Sequence, residues 1–133
     1  MQTLHVAVAV VFNKQQEVLL ALRQSHQHQG GLWEFPGGKI GPGEHIFAAL
    51  QRELKEEVDL TVIDAEPLLK VTHQYEDRDV LLDVWQVTRY SGEVYGREGQ
   101  QIQWKAIDKL RQVDFPAANE AIVDVVETLT INI

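Results

Sequence analysis

The stretch RELKEEVDL, residues 52–60, sets Glu53, Glu56 and Glu57 three and four positions apart. On a helix such carboxylates are neighbours, and each pair repels by roughly 0.2–0.5 kcal/mol. With Glu53 at zero, Glu57 falls at about 40° and Glu56 at about −60°, whereas Phe47, Leu50, Leu54 and Val58 span about 60° to 140°. The three glutamates therefore share one arc beside an apolar stripe. Arg52 lies one turn before Glu56 and can pair with it. Two readings fit this pattern. One is a solvated acidic face. The other is a hard-cation site, since Mg²⁺ takes oxygen ligands in an octahedron and is commonly held by carboxylates together with substrate phosphates. A divalent cation would turn the mutual repulsion into attraction. Periodicity alone leaves both readings open.

The segment PGGKIGPGE, residues 36–44, runs straight into this helix. Glycines let a backbone approach a ligand closely, and they also make ordinary turns. Loop and helix together are more specific than either alone. Gly38 is followed after five residues by Glu44, then after seven by Arg52, Glu53 and Leu54, then after one by Glu56 and Glu57, with Leu60 at the end. This spacing resembles the Nudix box, G-x5-E-x7-R-E-U-x-E-E-x-G-U, with U a bulky aliphatic. Asp59 stands where that family has glycine. The family glycine implies a left-handed residue that ends the helix, a conformation Asp tolerates better than most residues.

LWEFPGGKI (32–40), EDRD (76–79), GREGQ (96–100) and DFPAANE (114–120) are similar to the MutT branch of the Nudix family, and the resemblance covers nearly the whole chain. It implies an α/β (α+β) Nudix fold, a mixed β-sheet between helices, over a single domain, residues 1–133. It implies divalent metal, Mg²⁺ or Mn²⁺, on Glu53, Glu56, Glu57, Glu98 and the Gly37 carbonyl. Glu53 would be general base, Arg52 would orient the glutamates, and Glu44 would act from behind them. Arg23, Lys39 and Arg78 would meet phosphate or sugar, with Pro36, Gly37 and Gly38 beside them; each cation taken alone reads more often as a solvated surface charge. His28 is included because MutT-like sequences carry a histidine there.

Glu34, Phe35 and Asn119 would form the base pocket. Phe35 alone reads as core. An Asn amide offers one acceptor and one donor. Guanine presents acceptors at both N7 and O6, whereas the 8-oxo base carries a hydrogen on N7 and so shows donor and acceptor side by side. Asn119 fits the oxidised pair, or else caps the last helix. The implied reaction is hydrolysis of 8-oxo-dGTP, and of 8-oxo-GTP, to monophosphate and pyrophosphate, cleansing the nucleotide pool. The competing readings are a Nudix pyrophosphatase for another nucleotide or a nucleotide sugar, and a nucleotide-binding domain without turnover.

The elements that would position these residues follow from hydrophobic patterning. Residues 4–12 and 17–23 read as strands, the first of them buried, around a turn at 13–16. Residues 24–31 read as polar loop and 32–35 as a short strand, while the glycines and prolines of 36–43 predict irregular chain. A helix should begin near Glu44, with Ile46, Phe47, Leu50, Leu54 and Val58 inward. Residues 67–75 and 80–90 read as a hairpin, 91–100 as loop and 102–104 as a short strand. Ala118, Ala121, Ile122, Val125, Val126 and Leu129 give a second amphipathic helix after Pro116.

A length of 133 residues fits one domain with a real core. The absence of cysteine removes disulfides and thiolate metal sites and suits a cytoplasmic location. The apolar run at residues 6–12 is far short of a membrane span, and no basic segment precedes it. A net charge of −8 disfavours nucleic-acid polymers, which call for a basic surface. The expected partner is a small nucleotide, with no membrane association and a monomeric chain.

Overall fold

The computed structural model describes residues 3–23 and 31–129. Its elements are β1 (Thr3–Val11), β2 (Glu17–Leu22), β3 (Trp33–Glu34), β4 (Gly37–Lys39), α1 (Ile46–Val58), β5 (Thr61–Gln74), β6 (Asp79–Ser91), β7 (Ile102–Ala106) and α2 (Glu120–Leu129), with 3₁₀ turns at Ile107–Gln112 and Ala117–Asn119. The strands form two sheets, ordered β4-β1-β6-β5 and β3-β2-β7. The first is mixed, because β1 runs parallel to β6 while β4 and β5 pair antiparallel with their neighbours.

Burial of β1 on both faces explains its unbroken apolar run. Val8 and Val10 point into one core with Ile122, Val123 and Val126 of α2. Ala7, Ala9 and Val11 point into a second core with Ala49, Leu50, Leu54 and Val58 of α1. β2 divides in the same way, with Val18 and Leu20 toward α2 and Leu19 toward α1. The strands thus lie between the two helices, as expected, but in two sheets instead of one. Among the described residues no helix is long and apolar enough to cross a membrane.

Several elements differ from the sequence reading, three of them at or beside the first helix. The segment 36–43 is not wholly irregular, because Gly37–Lys39 pairs with β1 through Val6↔Lys39, Ala7↔Gly38 and Val8↔Gly37. The edge of β1 supplies the order that two glycines cannot supply themselves. Strand β5 starts at Thr61, six residues before the expected start at 67. Pro67 is tolerated there because β5 is an edge strand, and register shifts lie on either side of it. Helix α1 starts at Ile46, two residues late, because His45 caps it by accepting the Phe47 N–H on Nδ1 at 3.1 Å.

Candidate active site

The glutamate arc of α1 faces β4. Glu57 is 7% exposed, and its Oε2 accepts the Gly37 N–H at 3.1 Å. Burial, then the negative charge of Glu34, pushes its carboxyl up to about 8, with Glu98 and Glu53 adding to the rise and the Gly37 N–H opposing it. Glu53 is half-buried and is also raised, chiefly by desolvation, against the pull of Arg52. Glu56 is exposed.

Arg52 ties these groups together. Its Nε and Nη2 form a two-pronged contact with Glu44, each at 2.8 Å. Its Nη1 donates to Glu53 at 2.7 Å and to Glu56 at 3.4 Å, and Nη2 donates also to the Lys39 carbonyl at 3.0 Å. Glu44 in turn accepts the Gly41 N–H at 2.8 Å. These contacts hold the Glu44 carboxyl down at about 2, led by the Arg52 hydrogen bonds. Arg52 therefore couples helix to loop and does more than meet Glu56.

Two glycines let loop and helix approach. A Cβ at Gly37 would collide with the Ala7 carbonyl oxygen, and one at Gly38 would collide with the Glu53 carboxylate. Glu98 arrives from the loop between β6 and β7, which caps the C-terminal carbonyls of α1. Tyr95 N–H donates to Val58 O at 2.9 Å, Arg97 N–H to Glu57 O at 3.0 Å, and Arg97 Nη1 to Lys55 O at 3.2 Å. Gln100 Nε2 also donates to Glu57 O, while its Oε1 accepts the Glu98 N–H, both at 3.1 Å. At Asp59 the helix ends left-handed, at φ 61°, with its N–H on Leu54 O.

A cavity of about 610 Å³ joins most of the predicted residues. Glu53, Glu57, Glu98, Gly37, Gly38 and Lys39 line it, as do Arg23, Arg78, Glu34, Phe35 and Asn119. Arg52, Glu44, Glu56 and Pro36 stand outside its wall, and His28 lies outside the described residues. Arg23 Nη1 donates to Glu34 Oε1 at 2.5 Å. Burial raises the Glu34 carboxyl although Arg23 opposes the rise. Phe35 is 2% exposed and stacks on Phe115 with centroids 5.5 Å apart, so it is a core residue with one edge on the cavity.

Asn119 is 7% exposed, and its side chain makes no hydrogen bond to any described residue. It sits in the 3₁₀ turn before α2 and is no side-chain cap of that turn. The sequence reading missed the apolar wall of Leu4, Val6, Val8, Val80 and Leu82, together with Tyr75 and Gln100. Alternation along β1 and β6 is the signal for that wall, once their parallel pairing is known.

The donor set fits a hard divalent cation. Glu57 is buried, has no Lys or Arg ion pair among the described residues, and faces the charges of Glu34, Glu53 and Glu98. No three carboxylates or histidines among the described residues are already gathered around one point. Repulsion between carboxylates opposes such gathering until a cation offsets it.

Comparison with known proteins agrees with this geometry. A family model described as NUDIX domain matches residues 7–125. The 8-oxo-dGTP diphosphatase of Escherichia coli (strain K12) is 37% identical over 92% of this chain and 95% of its own. The CTP pyrophosphohydrolase of the same organism is 30% identical over 88% and 87%. A solved MutT structure, from work on Aliivibrio salmonicida and Vibrio cholerae, shares 35% identity and a TM-score of 0.83 over 96% of this chain and 99% of that one. Nudix hydrolases generally depend on divalent metal. A box complete but for Asp59, a fold that lays it against β4, and a match over most of the length make this chain a member of the Nudix family.

Proposed function

We propose that the protein hydrolyses 8-oxo-dGTP, and 8-oxo-GTP, to the nucleoside monophosphate and pyrophosphate, removing oxidised guanine from the nucleotide pool. The observation that carries this reading is Asn119, a buried amide with no hydrogen bond to a described residue, lining the same cavity as the glutamates. A buried polar group without a partner costs about 1–3 kcal/mol. A base with N7–H beside O6 satisfies both ends of the amide, and ordinary guanine leaves one end facing a lone pair.

Glu53, Glu56, Glu57 and Glu98, with the Gly37 carbonyl, would hold Mg²⁺ or Mn²⁺. When bound, the cation screens phosphate charge and acidifies water. Glu53 takes the proton of the attacking water, and burial, by raising its carboxyl, makes it a stronger base than an ordinary carboxylate. Arg52 keeps it aimed by holding one oxygen. The new bond forms from water oxygen to the β-phosphorus, and the bond from that phosphorus to the α–β bridging oxygen breaks. The monophosphate leaves with the bridging oxygen, and pyrophosphate carries the new one. Arg23, Lys39 and Arg78 bring positive charge to the triphosphate and sugar. Glu34 orients Arg23 through their contact. The protein acts as a monomer in this reading.

Cytosine presents an N4 donor beside an N3 acceptor, so the flipped amide could read a cytidine nucleotide as well. The similarity to a CTP pyrophosphohydrolase favours keeping this second reading. A hydrolysis panel with Mg²⁺ separates the two, using 8-oxo-dGTP, 8-oxo-GTP, dGTP, CTP and ADP-ribose. The expected result is the highest kcat/KM on the oxidised guanine nucleotides, with pyrophosphate as the second product. A preference for CTP would replace the first reading by the second. Release of inorganic phosphate would overturn the site of attack.

A further inference from the structure

We propose that the Tyr75 hydroxyl is a positioning group for base selection, holding in place the turn that carries Asn119. This rests on the reading of Asn119 given above. Tyr75 follows β5, and its N–H donates to Arg78 O at 2.8 Å, closing the hairpin to β6. Its hydroxyl accepts the Ala118 N–H at 3.1 Å, 43 residues further along the chain. One residue therefore ties the hairpin that carries Arg78 to the turn that carries Asn119, and all of them line the cavity.

The turn Ala117–Asn119 needs such a tether. It is three residues long, with Pro116 at its N-cap and no side-chain cap. The first N–H groups of a helical turn have no partner within it, and the Tyr75 oxygen supplies one for Ala118. Within the turn, Asn119 N–H donates to Pro116 O at 2.9 Å. The Asn119 side chain has no hydrogen-bonded neighbour among the described residues to orient it. Its direction is set by the backbone beneath it together with the packing around it. The ring of Tyr75 is itself packed against His73, with centroids 4.5 Å apart.

Reading the oxidised base takes two hydrogen bonds at once, from N7–H and to O6, and both weaken steeply with misalignment. Ordinary guanine can form only the O6 bond there. Loosening the turn thus penalises the oxidised substrate more. Tyr75→Phe keeps the ring and removes only the oxygen. It is expected to raise KM for 8-oxo-dGTP about tenfold, with kcat and the kcat/KM for dGTP changed by less than about twofold. Exchange of the Ala118 amide hydrogen should quicken in the variant.

Asn119→Ala serves as the reference and should itself collapse the ratio of the two substrates. Adding Tyr75→Phe to that background should then change nothing further. An unchanged ratio in Tyr75→Phe, beside a collapsed one in Asn119→Ala, would refute the role of Tyr75 and leave that of Asn119 standing. Equal losses on both substrates, or a fall in kcat, would make the hydroxyl merely structural and also refute it. An unchanged ratio in Asn119→Ala would remove the reading of Asn119, and the positioning role with it.

Discussion

Glu57 combines burial, one backbone hydrogen bond and three neighbouring carboxylates, and the balance is unfavourable to its charge. In the metal-free protein its folded value lies near 8 against an ordinary 4.5. The folded state then binds more protons than the unfolded chain between these values, so stability falls as pH rises through that window. The loss is complete above about pH 8 and amounts to a few kcal/mol. Glu57→Gln removes it. Urea midpoints in EDTA should fall for the wild type between pH 5 and 8 and fall much less for the variant. A smaller slope should remain from Glu34 and Glu53, which burial also raises. At pH 8 the metal-free variant should be the more stable protein. Excess Mg²⁺ should stabilise the wild type by about 2.7 kcal/mol at a hundredfold excess over Kd, and the variant by less. The same substitution should lower turnover by at least about a hundredfold, as should Glu53→Gln. Parallel pH curves for wild type and Glu57→Gln would show that Glu57 carries no such burden.

Helix α1 needs its C-terminus covered, and the loop that covers it delivers Glu98. Four contacts from Tyr95, Arg97 and Gln100 fall on the carbonyls of Lys55, Glu57 and Val58. Asp59 belongs to the same junction. Its left-handed backbone does the work of the family glycine, and its carboxylate stands 3.2 Å from Lys55 Nζ and 3.6 Å from Arg97 Nη1. The substitution is thus partly offset by two local cations, of which the sequence shows Lys55 four positions back but not Arg97, which lies in a distant loop. Asp59→Gly relieves left-handed strain of roughly 1 kcal/mol and forfeits exposed ion pairs worth about 0–1 kcal/mol. The expected outcome is a stability change within about 1 kcal/mol of zero and a rate within about twofold of wild type. Urea denaturation and steady-state rates on 8-oxo-dGTP check it. A fall in kcat beyond that range would mean that the Asp59–Arg97 contact helps aim Glu98.

At the scale of the molecule the cavity lies where two faces of one sheet meet around its β4 edge. Glu53 and Glu57 come from α1 on one face, and the apolar wall of Val6, Val8, Val80 and Leu82 belongs with the core under α2 on the other. The α1 stripe and the spacing of its carboxylates were legible in the sequence, because a single helix carries both. The β4 edge was not, since Gly37 and Gly38 have no side-chain pattern to read and take their order from β1. Nor was the tie from Tyr75 to Ala118, which needs two distant segments brought together. Those two glycines, adjacent in sequence, answer to different parts of the fold. Gly38 pairs opposite Ala7, on the face of α1, where an added Cβ would meet the carboxylate end of Glu53. A side-chain end can swing aside, so Gly38→Ala should cost no more than about 1–3 kcal/mol of stability. Swinging aside breaks the aim of Glu53, so kcat should fall by at least about tenfold with KM little changed. At Gly37 the added carbon meets the backbone of Ala7 and Val8, which cannot yield without opening the β1–β4 pairing. Gly37→Ala should therefore lose more stability than Gly38→Ala, together with its activity. Urea unfolding of both variants, set beside their steady-state constants, makes the comparison. Equal stabilities with equal losses of kcat would mean that β4 yields at Gly37 as readily as a side chain does, and that the edge is no fixed frame for the site.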